Sequence, residues 1–225
     1  WIGDLARLLD GNVGSNRMHR TGWRATFSLG GKSYATRGDY ARDGTGRFKI
    51  LGEFPKVGRA GIGMGLGRVP WMTGAGKGAF AGHLGENGRG HPADFVPPEL
   101  RMRFHMATGL LTGAGLAPEL LRNYGEVTEL ETDGPERRVC VNVRRKSRQW
   151  TLTLGFARFD GTPLWVSWDG KAGSGRIDFT HWALDVDLDP DAFEPPEDGP
   201  VRRVDREDIL RMQAALFAFG LEQFR

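Results

Sequence analysis

Between residues 126 and 193, apolar and polar residues alternate, and turn-forming pairs interrupt the alternation at short intervals. Val139, Val141 and Val143 share one parity, as do Trp150, Leu152, Leu154 and Phe156. Leu164, Val166 and Trp168 follow Asp160-Gly161, and Ile177 and Phe179 follow Asp169-Gly170. A period of two puts every second side chain on one sheet face, and Asp-Gly suits the positive φ of a tight hairpin turn. The stretch predicts an antiparallel meander with one apolar face. What that face packs against, or holds, bears directly on function.

The N-terminal third carries a second meander. In residues 18–29 the apolar parity takes in Trp23, Ala25, Phe27 and Leu29, together with His19 and Thr21. Gly30-Gly31 turns the chain into a strand with Tyr34, Thr36, Gly38 and Tyr40 on one face. Asp43-Gly44 turns it again into residues 47–54, where Phe48, Ile50 and Phe54 align. From 58 to 90 the pattern dissolves among glycines, which lose the most freedom on ordering. Long loops or weak strands are expected there. Helical spacing predicts helices at 2–9, 99–111 and 118–124. Asp205 should cap a last helix with Leu210, Ala214, Phe217, Leu221 and Phe224 as its apolar stripe.

With 225 residues, 39% apolar and 26% charged, the chain has the composition of a globular protein. No apolar run is long enough for a transmembrane helix. The single cysteine, Cys140, excludes an internal disulfide and reads as a half-buried strand residue. The net charge of +3 is a weak pointer to an anionic partner. Its densest part is Arg137, Arg138, Arg144, Arg145, Lys146 and Arg148, which reads as a solvated hairpin edge.

Candidate chemistry is thin. No phosphate-binding glycine loop or Gly-x-Ser-x-Gly elbow has the required spacing. The five histidines form no i, i+4 pair. Asp185, Asp187 and Asp189 alternate with Val186 and Leu188, as on a strand with a solvated acidic face. A hydrolase acting through His83, His91 or Asp178 is the lesser alternative. The chain's seven tryptophans and its aliphatic parity point instead to a curved sheet with an apolar concave face, closed by helices, which would bind an apolar ligand.

Four pieces in order carry a resemblance. A short helix precedes a strand pair; then come Gly38-Asp39-Tyr40 and Gly46-Arg47-Phe48-Lys49; then a helical middle; then Leu188-Asp189-Pro190-Asp191-Ala192-Phe193-Glu194-Pro195-Pro196. This order resembles the outer-membrane lipoprotein carrier family, LolA-like proteins, and related lipoprotein-localisation domains. The resemblance implies an α+β fold: a curved antiparallel sheet, an incomplete β-barrel, with helices covering its open face. The half-barrel is expected over 1–200; the glycine-rich insert at about 58–95 and the helix in 201–225, expected to pack on the same domain, depart from the family's pattern. The resemblance also implies a non-enzymatic carrier in the periplasm or cell envelope, without cofactor or metal. That carrier would be a monomer binding a lipid, acyl chain or acylated lipoprotein, with a membrane-associated partner and no nucleic acid. Its cavity would be lined from Trp23, Phe27, Tyr34, Tyr40, Phe48, Ile50, Trp150, Leu152, Leu154, Leu164, Val166 and Trp168. The alternative is a structural or interaction protein with the same fold and a filled core.

Overall fold

The computed structural model describes residues 18–29, 31–54, 58–74, 79–82, 95–98, 126–130, 134–145, 148–170, 173–196 and 201–222. The helices expected at 2–9, 99–111 and 118–124 lie outside the described residues, as do His83 and His91.

The described chain forms strands β1 (His19–Leu29), β2 (Lys32–Arg42), β3 (Phe48–Phe54), β4 (Gly58–Met64), β5 (Pro70–Thr73) and β6 (Ala79–Gly82). There follow β7 (Glu126–Leu130), β8 (Glu136–Arg145), β9 (Arg148–Ala157), β10 (Pro163–Gly170), β11 (Gly173–Leu184) and β12 (Val201–Val204), then helix α1 (Arg206–Glu222). Hydrogen bonding orders them β12-β6-β5-β4-β3-β2-β1-β11-β10-β9-β8-β7, an open order rather than a closed ring. The pair β12 and β6 is parallel. The chain divides into two units. The described residues of the first fall in 22–35 and 126–182, and those of the second in 18–21, 36–98 and 183–222.

In the first unit the expected alternation holds. Trp168 pairs with Leu152 and Val166 with Leu154 across β10 and β9, and Leu154 pairs with Val139 of β8. Val139, Leu152, Leu154, Phe156 and Val166 form a buried cluster, bordered by half-buried Trp150, Trp168, Ile177 and Phe179. The other parity carries Thr153, Ser167, Arg138, Arg176 and Asp178 around one buried aromatic, Trp165. The arginine-rich β8 is not a sheet edge, because β7 pairs along it and takes the edge position.

In the second unit the glycine-rich stretch forms strands. Ile62 and Met64 of β4 are buried, while Gly61 and Gly63 occupy the opposite parity. Gly63 pairs with Trp71 of β5, and a methyl group at Gly63 would collide with the indole. Glycine is therefore what allows the tryptophan to lie flat across the neighbouring strand. The first unit repeats the device twice, with Gly155 under Trp165 and Gly175 under Trp168, each a direct cross-strand pair.

The turns follow their residues with two adjustments. After β2 the left-handed residue is Gly46, at φ 91°, not Gly44. Asp43 stitches this turn together, accepting from Thr45 N, Thr45 Oγ1 and Arg47 N at 2.9 Å each. Asp169 and Gly170 stay inside β10, whereas Gly161 turns the chain at φ 70° as expected. The acidic run also differs: β11 ends at Leu184, so Asp185, Asp187 and Asp189 are exposed beyond the strand rather than in it.

α1 starts where expected. Asp205 Oδ1 accepts from Glu207 N at 2.8 Å, and Glu207 and Asp208 sit in the first turn, where the helix dipole favours anions. Its buried residues Ile209, Leu210, Gln213 and Ala214 recur at helical spacing. Gln213 Nε2 donates to the carbonyls of Gly63 (3.2 Å) and Trp71 (2.8 Å), tying the helix to the main chain of one Gly–Trp pair.

Candidate functional site

The residues expected to line a cavity fall in both units. Trp23, Phe27, Tyr34, Trp150, Leu152, Leu154, Leu164, Val166 and Trp168 belong to the first; Tyr40, Phe48 and Ile50 belong to the second.

In the first unit they make a graded surface. Leu154 and Val166 at its centre are 0% exposed. Leu164, Trp150 and Trp168 are half-buried. Phe27 stacks on Tyr34 with ring centroids 5.2 Å apart and planes at 17°, and Tyr34 is 44% exposed. The centre therefore has the burial of a core, and the aromatic border keeps surface to offer. Parity also places Ile177 and Phe179 on this surface, beside Val166 and Leu164. Strand alternation was the signal for them, and the expected set left them out.

Trp23 is buried, and its indole N–H finds no acceptor among the described residues. A buried Trp N–H ordinarily has a partner.

The opposite parity carries a polar ladder. Arg176 lies over the Trp165 ring, 4.2 Å from its centroid, and Arg138 lies 5.8 Å away. Arg138 pairs with Glu136 at 2.7 Å, and Trp165 Nε1 donates to Glu136 Oε1 at 3.2 Å. Asp178 pairs with Arg176 at 2.7 Å on the same surface.

In the second unit Tyr40 is buried, with the His19 ring edge-on at 5.6 Å. Burial pushes its phenol well above the usual value, against the smaller opposing pull of Arg42. Tyr40 pairs with half-buried Ile50, which pairs with buried Ile62. Phe48, also half-buried, pairs with Arg42 and Met64.

Two of the four segments behind the family resemblance meet in this unit. Arg47 pairs with Asp43 at 2.5 Å, and its guanidinium carbon stands 4.8 Å from the centroid of the Phe193 ring. Phe193 lies in a short 3₁₀ helix, Pro190–Phe193, whose start is capped by Asp189 accepting from Asp191 N at 3.0 Å. Trp71 Nε1 donates to the Phe193 carbonyl at 2.7 Å, and Leu66 N donates to Glu194 Oε1 at 2.7 Å.

No family model matches the chain, and no curated protein matches it. Solved structures do. This chain is similar to LolA-superfamily structures. One is a LolA superfamily protein from Nitrosomonas europaea, 11% identical, with 85% of this chain and 96% of that one covered and a TM-score of 0.36. The chain is also similar to the lipoprotein LppX of Mycobacterium tuberculosis, 13% identical, with 83% and 99% covered and a TM-score of 0.38. A chain of the Pseudomonas aeruginosa MucA/MucB complex also matches, at 13% identity, 89% and 64% coverage and a TM-score of 0.45. The chain thus spans less than two thirds of that matched chain.

Proposed function

We propose that the protein is a non-enzymatic, LolA-like binding protein that holds a lipid or the acyl chains of a lipoprotein against the apolar surface of its first unit, in the periplasm or cell envelope. The observation that carries this reading is the graded surface: a buried aliphatic centre, a half-buried border of Trp150, Trp168, Ile177 and Phe179, and the exposed Tyr34 at the end of a stacked pair. The Trp23 N–H, which finds no acceptor among the described residues, adds a donor suited to an ester or carboxyl oxygen. Each buried methylene is worth about 0.8 kcal/mol, so a chain of about 14 to 16 carbons brings ample gross affinity. Association and ordering costs take back part of it. Release is then the demanding step.

A fluorescent fatty-acid probe tests the reading. Saturable uptake that weakens in Tyr34→Ser is the expected result, because Tyr34 is exposed and its loss spares the fold. No uptake by the intact protein would overturn it. Mass spectrometry of protein purified from its own host should show a co-purifying fatty acid or phospholipid.

A second reading is an interaction protein with a filled core. The complete burial of Leu154 and Val166 favours it, since those side chains already have their neighbours. The same probe separates the two, because a filled core takes up none.

A further inference from the structure

The turn between β9 and β10 reads Arg158-Phe159-Asp160-Gly161-Thr162, and Phe159 is its one apolar side chain. Phe159 is 97% exposed. The turn forms without help from the ring. Ala157 N donates to the Thr162 carbonyl at 2.8 Å, and Gly161 N donates to the Ala157 carbonyl at 2.9 Å, with Gly161 at φ 70°. Asp160 Oδ1 accepts from Thr162 N at 2.9 Å. A serine or asparagine at position 159 would suit such a turn at least as well, without holding a phenyl ring in water.

The tip is also braced. Arg158 N donates to the Pro135 carbonyl at 2.7 Å, and Arg158 Nε donates to the Gly134 carbonyl at 2.9 Å. The turn that precedes β8 therefore supports the turn that carries Phe159. Main-chain donors at 157, 158, 161 and 162 all have acceptors within the first unit. The ring is thus presented to the outside on a bonded support.

We propose that Phe159 is a membrane contact, whose ring enters the interfacial layer of a lipid bilayer with Arg158 beside it at headgroup level. A protein docking site centres on a cluster of apolar side chains that fill a pocket. Phe159 instead stands between two exposed, charged chain neighbours, Arg158 and Asp160. The interfacial layer favours aromatic rings and asks for no shape complementarity. The bonded donors of the turn bring no unsatisfied N–H of their own into that layer. One ring is a weak anchor, so the contact is reversible. The inference does not rest on the acyl-chain reading, because Phe159 is not part of the graded apolar surface.

Co-sedimentation of the whole chain with phosphatidylcholine vesicles containing phosphatidylglycerol tests the contact. Binding should weaken by about tenfold in Phe159→Ser and in Phe159→Asn, and persist in Phe159→Trp. Unchanged melting temperatures show that the variants are folded. Emission of Phe159→Trp should shift to the blue on adding vesicles, by more than the parent's emission does. Fatty-acid uptake should be equal in Phe159→Ser and the parent, whereas Tyr34→Ser weakens uptake and spares vesicle binding, so failure of one reading is told apart from failure of the other. Vesicle binding that both polar variants retain in full overturns the proposal. So does a parent that binds no vesicles, which leaves the ring to a protein partner.

Discussion

The guanidinium carbon of Arg47 stands 4.8 Å from the centroid of the Phe193 ring, so the turn between β2 and β3 is held to the 3₁₀ helix that follows β11. Phe193 is 0% exposed, and its carbonyl accepts from the Trp71 indole. Phe193→Ala should therefore cost about 3–5 kcal/mol, read as a lowered urea midpoint. Arg47→Ala removes this stacking, worth about 1 kcal/mol, and also the ion-pair partner of the buried Asp43, so its cost should exceed that of the stacking alone. A double-mutant cycle between the two positions should return a non-zero coupling, and strict additivity would show that the contact contributes nothing.

Asp43 ties stability to acid. Burial raises its pKa, but hydrogen bonds from Arg47 and Thr45 outweigh burial and hold the carboxyl below the ordinary carboxylate value. A depressed folded-state pKa gives stability that is complete above the unfolded value and is lost as pH falls through the folded one. Melting temperature should fall below about pH 4 in the parent. Asp43→Asn should melt lower at neutral pH and show a shallower acid decline. Parallel acid profiles for the two proteins would remove Asp43 from the account.

Glycine substitutions separate two classes of site. Gly63→Ala, Gly155→Ala and Gly175→Ala each push a methyl into an indole and should destabilise by about 1–3 kcal/mol. Gly74→Ala meets nothing within 4 Å and should stay within about 0.5 kcal/mol of the parent. Chemical denaturation of the four variants checks the contrast.

Gln213 is fully buried, and its amide bonds two strand carbonyls, so Gln213→Ala leaves both without that donor. A loss of about 1–3 kcal/mol is expected. Proteolysis within 201–222 should speed up with it; an unchanged cleavage rate would show that the helix is held by its apolar residues alone.

Phe159 is 97% exposed in the turn between β9 and β10, whose bonds come from other atoms: Gly161 N to the Ala157 carbonyl at 2.9 Å, and Thr162 N to Asp160 Oδ1 at 2.9 Å. Phe159→Ser should therefore leave the melting temperature unchanged.

Period-two alternation made the strands legible wherever a side chain marked the parity, as from Val139 to Phe179. It failed from Gly58 to Gly82, because glycine has no side chain to mark a face. Within it Gly63 lies beneath Trp71 of the neighbouring strand, and local sequence cannot show which Gly will lie beneath which Trp. The same limit applied to turns: Asp169-Gly170 looks like Asp160-Gly161, yet only the latter reverses the chain. Among the expected cavity residues of the first unit, exposure separates Leu154 from Tyr34, and exposure depends on what packs above. The contact of Arg47 with Phe193 joins segments far apart in sequence, and neither segment names the other.

The parallel seat of β12 beside β6 has a consequence for biogenesis. A ribosome finishes β6 long before it makes β12, and throughout that interval the outer rim of β6 is a bare row of amides and carbonyls. Nascent chains arrested before Val201 should therefore be the ones that recruit holdases or stick to each other, and finishing the final stretch should end that vulnerability.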